Sequence, residues 1–519
     1  MGFACPGPES NVARISRTRL AGYGVPAIVV PLLLTFLWIA WHLPIKSDDA
    51  YITFRVARHL ADGRGMVYNP GERQQVSSSP LYTLLLAGAR AATGVRIETA
   101  ARAWEFLFLL INTILVAWIV VRLGGGRWAW LAALLVVSEP VIVFMSRGME
   151  SALFAACILA TLAALRFRRP LLTAAFLALA VLTRLDGLIL GLLVAGVELG
   201  RLANRSAPPG RWLRTTALQA VVFAALTLPW FLFAWAYFGD PFPVTIAHKL
   251  GQVRQLSLAL FGPEFLRNFF WSHRLLVWNT NFPVPELDVI PFLIGAVVLA
   301  TRRGPRFWLV GFWLLYLAVY AAARMPYYLW YQLPLYVIAA AVTTVGLAAM
   351  TSWALRRPTP GARWASGVAL ALLAIGIAVQ ILQVWPFLTL LATAPPDSSL
   401  RDTKMYAHAG RYLAAQSPPE AVVASFEVGM IGYYSQRRIL DLTGLTSPLA
   451  AADRVRPALE VVLDRRPDFL VIESRVYERY PEYLRTRFEA AYRREKLLHD
   501  PYTEHTILIF RSMRAIRSE

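Results

Sequence analysis

The sequence predicts an all-α polytopic membrane protein, with about eleven transmembrane helices, followed by a small soluble α/β domain. Three observations carry this expectation. Of 519 residues, 57% are hydrophobic and only 16% are charged, against roughly a quarter charged in soluble domains. No water-soluble fold hides that much apolar side chain, because surface does not shrink fast enough with size. The arginines fall in short clusters between apolar runs, as they do in loops held on the cytoplasmic side of a bilayer. From Pro395 onward the apolar runs shorten and alternate with charged stretches.

Arg14, Arg17 and Arg19 precede an apolar stretch over Val25–Pro44 that lacks a small-x-small cleavage site. It reads as a retained first helix with a cytoplasmic N-terminus. Further apolar segments fall near 101–122, 128–146, 149–166, 170–184, 186–200, 215–238, 288–301, 306–323, 331–352 and 364–388. The clusters Arg122/Arg127, Arg166/Arg168/Arg169, Arg201/Arg205/Arg211/Arg214, Arg302/Arg303/Arg306 and Arg356/Arg357/Arg363 occupy alternate connections. The short turns around Arg147, Arg184 and Arg324 lie opposite them. An odd number of spans then places the C-terminal domain outside. Residues 81–94 are apolar but contain Arg90 and are short for a span. They are expected as a juxtamembrane or re-entrant helix inside a long first external loop, 45–100, and a second external loop covers 239–287. The boundary between the membrane domain, 1–394, and the external domain, 395–519, follows from the change in composition. Within the latter, Ala421–Phe426, Arg438–Leu442, Phe469–Glu473 and Thr506–Phe510 read as strands, and Glu482–Leu498 as an amphipathic helix.

The net charge of +20 could suggest nucleic acid, but the tail from residue 400 holds 19 basic and 16 acidic residues, so +17 belongs to the membrane part. Most of that charge is topological, and a nucleic-acid partner is excluded on this ground. Cys5 and Cys157 make no disulfide framework, and the seven histidines have no zinc-binding spacing.

Polar groups at the outer membrane edge that topology does not explain are the candidates for chemistry. Ser47, Asp48 and Asp49 open the first external loop, directly before the amphipathic segment 50–62. One reading makes that segment an interfacial helix, with Ile52, Val56 and Leu60 on its apolar face and the acids as N-cap and dipole complement. The other makes an aspartate a general base toward a hydroxyl. His248 and Lys249, just beyond a span, could hold a phosphate or simply snorkel. Arg324, beside an aromatic belt that includes Tyr331, could bind an anionic headgroup. The turns Ser146–Glu150 and Leu182–Gly187 each pair an arginine with an acid, which suits local turn-closing ion pairs. Tyr51, Arg55, Glu150 and Tyr331 complete the candidates for substrate binding. Two adjacent aspartates alone do not make a convincing divalent site, and a divalent cation stays open as a cofactor.

The stretch SDDAYITFRVARHLADGRGMVYNPGERQQVSSSPLYTLLLA resembles the first external loop of the GT-C glycosyltransferase superfamily. SRGMESALFA, VLTRLDGLI, FGDPFPVTIAHKL, LWYQLPL and EVGMIGYYSQRRILDLTGL follow in the order of one branch, similar to the mycobacterial terminal β-1,2-arabinofuranosyltransferases and their bacterial relatives. The resemblance implies a multispan inverting glycosyltransferase of the bacterial cytoplasmic membrane, taking a hexosyl or pentosyl group from a polyprenyl-monophosphate donor. The acceptor would be a hydroxyl of a cell-envelope glycan or glycolipid on the external face. It carries the acidic motif over to Asp48 and Asp49, with Asp48 favoured as the base because the first acid usually has that role in the superfamily. Lys249, His248 and Arg324 become donor-phosphate contacts by position. The sequence departs from the pattern at Gln75-Val76, where Glu-Gly is expected, and at Leu185, where proline is expected. The first departure bears on sugar or acceptor specificity.

Two other classes compete. A transporter or flippase would place ionisable residues at mid-bilayer and break helices in paired halves. A polymerase or ligase using diphosphate-linked donors would rely on loop arginines rather than an acidic pair. The external position of the polar motifs and the lack of an internal repeat favour the transferase.

Overall fold

A computed structural model describes residues 48–138, 147–206, 208–246, 289–301, 307–323, 331, 333–356, 405–446, 456–499 and 506–517, with isolated positions at 30–47 and 361–367. The expected first span and the segment 364–388 lie almost wholly outside these residues. The membrane part comprises α1 (Asp48–Ala61), α2 (Pro80–Thr93), α3 (Ile97–Val120), α4 (Ala129–Ser138), α5 (Ser151–Arg166), α6 (Pro170–Thr183), α7 (Gly187–Ala203), α8 (Pro209–Phe238), α9 (Val289–Thr301), α10 (Trp308–Ala322) and α11 (Leu333–Arg356). Helices α2, α6 and α8 begin on proline, whose missing N–H costs nothing in a first turn. Helices α2 and α8 stop at Gly94 and Gly239, both in the left-handed conformation.

Three stretches among the described residues are long and apolar enough to cross a membrane: Ile97–Gly125, Pro209–Phe238 and Leu333–Trp353. Shorter apolar helices, among them Ser151–Arg166 and Trp308–Ala322, pack with them. Helix α5 is buried along nearly its whole circumference, as a helix apolar on every side must be when it is central. Helices α7 and α8 instead present Leu188, Leu192, Leu199, Leu218, Val221, Leu232 and Trp235 outward. That is an apolar surface suited to lipid and not to water. Helix α2 has 14 residues, about 21 Å of length, short of the ~30 Å of hydrocarbon. It packs against α1, α3 and α6.

The C-terminal part runs α12 (Met405–Gln416), β1 (Val422–Ser425), α13 (Gly429–Ser435), β2 (Arg438–Asp441), α14 (Ala458–Arg465), β3 (Phe469–Glu473), α15 (Ser474–Tyr477), α16 (Glu482–Glu489), β4 (Tyr492–His499), β5 (Thr506–Ser512) and α17 (Met513–Arg517). The strands form one sheet in the order β2-β1-β3-β5-β4. Strand β1 pairs in parallel with β2 and β3, and β5 pairs antiparallel with β3 and β4. Alternation along the strands divides the core. Val423, Phe469, Val471, Ile507 and Ile509 face one side, and Ala424, Leu470, Ile472, Leu508 and Phe510 the other, under α14 and α16.

The expected helix Glu482–Leu498 is corrected. It ends at Glu489, and Tyr492–His499 is the edge strand β4. A charged segment with few apolar residues satisfies either period, and pairing with β5 decides the matter.

The interfacial reading of α1 is corrected too. Ile52 and Val56 do not face lipid; they are buried with Met405, Val423, Ile431, Ile439 and Phe469 of the C-terminal part. Tyr51, Phe54 and Ala57, on another face, join the core of the membrane helices. Helix α1 is therefore enclosed between the two parts of the chain.

His59 lies in that joint, 2% exposed, with its Nδ1 2.9 Å from the Val67 carbonyl oxygen. Burial first, and then the Arg55 guanidinium, push its pKa down from 6.5 to about 4. The unfolded chain therefore takes up the proton first, and stability present above pH 6.5 is lost as the pH falls toward 4. Up to about 3 kcal/mol is at stake. Thermal unfolding measured from pH 7 to pH 4.5 is expected to show this loss, and His59→Gln to flatten it.

Candidate active site at the joint of the first loop and the C-terminal domain

Ser47 is the N-cap of α1 but makes no side-chain capping bond; its Oγ lies 3.6 Å from Met149 Sδ. The two acids occupy the first turn, where the helix dipole favours them, and they point differently. Asp48 is buried and accepts the Gly429 N–H at Oδ2 (2.7 Å) and the Met430 N–H at Oδ1 (2.8 Å). It thus caps α13 of the C-terminal part, across more than 380 positions of chain. Asp49 is exposed. Position 429 tolerates only glycine here, since a Cβ would overlap the backbone carbonyl of Asp48.

Beside the apolar contacts of Ile52 and Val56, polar contacts cross the joint. Arg55 donates to the carbonyl oxygens of Tyr68 (2.7 Å), Gly432 (2.5 Å) and Arg437 (2.7 Å). Tyr68 donates to the Val428 carbonyl at 2.6 Å. Asn69 donates to the Ile439 carbonyl at 2.9 Å and accepts the Ile439 N–H at 3.1 Å. Tyr433 donates to Glu98 at 2.8 Å, and Arg438 pairs with Glu72 at 2.7 Å. Burial, and then Glu98, raise the Tyr433 phenol far above its ordinary range, so it stays a donor. These partners were not among the residues singled out by sequence. Their signal was present in the glycines of EVGMIG and the Tyr-Asn-Pro-Gly-Glu run.

A second polar centre joins the two tight turns. Arg184 pairs with Asp186 at 2.5 Å, as a turn-closing pair should, and also with Glu150 at 2.9 Å. Its guanidinium lies over the Tyr331 ring, 4.4 Å from the centroid. Asp186 also accepts from the Tyr320 hydroxyl. The local pair expected within Ser146–Glu150 is corrected: Glu150 goes to Arg184, and Arg147 instead faces Glu105 at 3.7 Å. Arg184→Met would leave two acids without their buried cation. Thermal unfolding in detergent is expected to show a loss of about 3 kcal/mol or more, with Arg184→Lys in between.

Among the predicted substrate contacts, Tyr51 (2% exposed), Arg55 (1%), Glu150 (4%) and Tyr331 (2%) are all enclosed in packing. Arg55 fastens the two parts, its donors taken by backbone carbonyls. Glu150 and Tyr331 are brought together around Arg184, and Tyr51 packs on Phe54 and Tyr433. His248, Lys249 and Arg324 lie outside the described residues. Among the described residues no group of three or more His, Cys, Asp or Glu side chains is placed to hold a metal.

An apolar cavity of about 370 Å³ lies beside this joint, lined by Leu60, Met66, Leu81, Leu182, Trp230 and Phe233 among others. It is bounded by α1, α2, α6 and the Pro229 region of α8.

Residues 398–510 match a domain of unknown function, DUF8728. Over 100 residues the chain is 32% identical to the terminal β-(1→2)-arabinofuranosyltransferase of Mycobacterium tuberculosis, and over 110 residues 30% identical to that of Corynebacterium glutamicum. These segments cover 19% of this chain in each case, and only 15% and 16% of the two relatives. In structure the chain is similar to the Archaeoglobus fulgidus oligosaccharyltransferase AglB in complex with an inhibitory peptide and a dolichol-phosphate. The TM-score is 0.56 at 13% identity, covering 92% of this chain and 74% of that one. It is also similar to ArnT from Cupriavidus metallidurans bound to undecaprenyl phosphate, with a TM-score of 0.52 at 14% identity over 94% and 98% of the two chains. The chain therefore has the helical membrane fold of the GT-C glycosyltransferases, and within it a local sequence similarity to the terminal arabinofuranosyltransferases.

Proposed function

We propose that the protein is an inverting glycosyltransferase that moves a sugar from a polyprenyl-monophosphate donor to a hydroxyl of a cell-envelope glycan or glycolipid on the external face. The observation that carries this reading is the acid pair at the head of α1, with Asp48 fixed by two backbone amides and Asp49 exposed beside it. A base must reach the acceptor hydroxyl. The buried Asp48, with both oxygens already accepting, suits the positioning of α1 on α13, and Asp49 suits the base. This reverses the order favoured on sequence alone.

In the reaction the acceptor oxygen attacks the anomeric carbon as its proton passes to Asp49. The bond from that carbon to the phosphate oxygen breaks, and its electron pair leaves with the lipid phosphate. A phosphate leaving group needs no acid of its own; it needs neighbouring cations and an in-line hydroxyl. Lys249, His248 and Arg324 remain proposed contacts to it. The apolar cavity beneath α1 suits the first isoprene units of a carrier. The solved relatives in complex with dolichol-phosphate and undecaprenyl phosphate support a lipid phosphate as donor carrier, and the arabinofuranosyltransferases favour a pentosyl group. The reading includes eleven spans, a cytoplasmic N-terminus and an external domain from residue 395, in a bacterial cytoplasmic membrane.

The test is transfer of label from radiolabelled polyprenyl-phosphate sugars by the purified full chain. Consumption of donor with formation of glycosylated acceptor is expected. Movement of substrate across proteoliposomes without any transfer would replace this reading with a transporter.

A further inference from the structure

Arg147 is 2% exposed, yet neither its Nε nor its Nη1 has a hydrogen-bond partner. The acid that faces it, Glu105, stands 3.7 Å from Nε, beyond hydrogen-bond reach, and receives the Gly148 N–H at Oε2 (3.2 Å). Arg102 lies one turn before Glu105 on α3 and is half-buried, and its Nε is also without a partner. Two guanidiniums therefore share one carboxylate. Elsewhere the same fold neutralises a buried arginine completely, as Arg184 between Glu150 and Asp186 demonstrates. A buried guanidinium with idle donors is costly, and ionisable groups at membrane depth commonly serve a ligand.

Position narrows the ligand. Arg102 and Glu105 lie in the outer turns of the apolar stretch Ile97–Gly125, about 8 and 12 Å along α3. Gly148, next to Arg147, is pressed against the first turn of α1: a Cβ there would come within 2.7 Å of Ile45 and 3.2 Å of Ala50. The Tyr82 hydroxyl holds the same glycine by its carbonyl at 3.1 Å. Arg147 thus directly precedes the glycine that packs on the helix beginning with the acid pair. A guanidinium fork matches the oxygens of a phosphate. A lipid phosphate reaches this depth with its chain still in hydrocarbon, whereas a free ion must leave water to arrive.

We propose that Arg147, with Arg102, seats the phosphate group of a lipid, and that Glu105 sets the Gly148 turn that aims Arg147. The identification of that lipid as the sugar carrier rests on the proposed function. During transfer the carrier phosphate goes from about one negative charge to two, so fixed cations favour the departing form over the donor.

The experiment measures thermal unfolding and direct lipid binding, by native mass spectrometry, of the full chain in detergent. The probes are undecaprenyl phosphate, phosphatidylglycerol and inorganic phosphate. Undecaprenyl phosphate is expected to raise the melting temperature of the wild type, and Arg147→Met to weaken its binding about 10- to 100-fold, the worth of one charge-assisted hydrogen bond. Without ligand, Arg147→Met takes from Glu105 the cation that faces it and is expected to melt lower, so binding is compared on protein whose helix content by circular dichroism matches the wild type. Unchanged lipid binding in Arg147→Met overturns the proposal. An equal response to phosphatidylglycerol overturns the carrier assignment, and a response to inorganic phosphate alone overturns the lipid one. Loss of the proposed function would register separately, as absence of sugar transfer by a wild type that still binds undecaprenyl phosphate.

Discussion

Asp49→Asn is expected to leave the protein folded and to lower the rate of glycosyl transfer by about 10²- to 10⁴-fold, the range of general-base contributions. The exposed side chain takes no place in the cores on either side of α1, and asparagine keeps its shape and an acceptor oxygen, so the melting temperature should change little. KM for the lipid donor should change little, because the base acts on the acceptor. Asp48→Asn behaves differently. Asparagine puts an NH₂ donor where one of the two accepting oxygens stood, facing the Gly429 or the Met430 N–H, so about 1–3 kcal/mol of the contact between α1 and α13 is lost, and the protein melts earlier. Its loss of rate should be matched by that loss of stability. Full transfer by Asp49→Asn, measured as initial velocity at saturating donor, would remove the base assignment.

The largest structural effect is expected at Arg55. Its replacement by methionine leaves the carbonyls of Tyr68, Gly432 and Arg437 without their donor in a closed interior. A charge-assisted bond is worth about 1.5–3 kcal/mol, and three are broken at once, so the joint should lose at least about 3 kcal/mol. The C-terminal domain would then come away from α1 while the apolar helices stay folded. Limited trypsin digestion should show new cleavage in the C-terminal part, and circular dichroism should show the helix content retained. Gly429→Ala reaches the same state by a different route, by forcing a methyl into the Asp48 carbonyl. A wild-type digestion pattern in both variants would mean that the joint is not held by these contacts.

Apolar runs and charge clusters read directly as helices because lipid rewards uniform apolarity and topology rewards uneven charge, and α5 to α8 lie close to where those signals put them. The acid pair stood out in the sequence for a related reason: two adjacent carboxylates beside an apolar stretch are expensive without a purpose. The partner of Asp48 did not, because a capping bond to Gly429 leaves no periodic trace and joins distant segments. The carbonyl partners of Arg55 were not legible either. A positive charge on an amphipathic helix suggests a solvated face or a ligand contact, and only the tertiary structure reveals that three carbonyls await it. Strand β4 failed for a local reason, since its register with β5 carries information that its own charged residues lack.

The bond from Asp48 to the amides of Gly429 and Met430 also has a meaning in time. The acids leave the ribosome before every helix that follows α1. Only when the chain beyond residue 430 has been made and folded does the first turn of α1 acquire its anchor. Chains halted before that point lack both amides that hold Asp48. The placement of Asp48 is thereby a late event of synthesis, set by a segment more than 380 positions further along the chain.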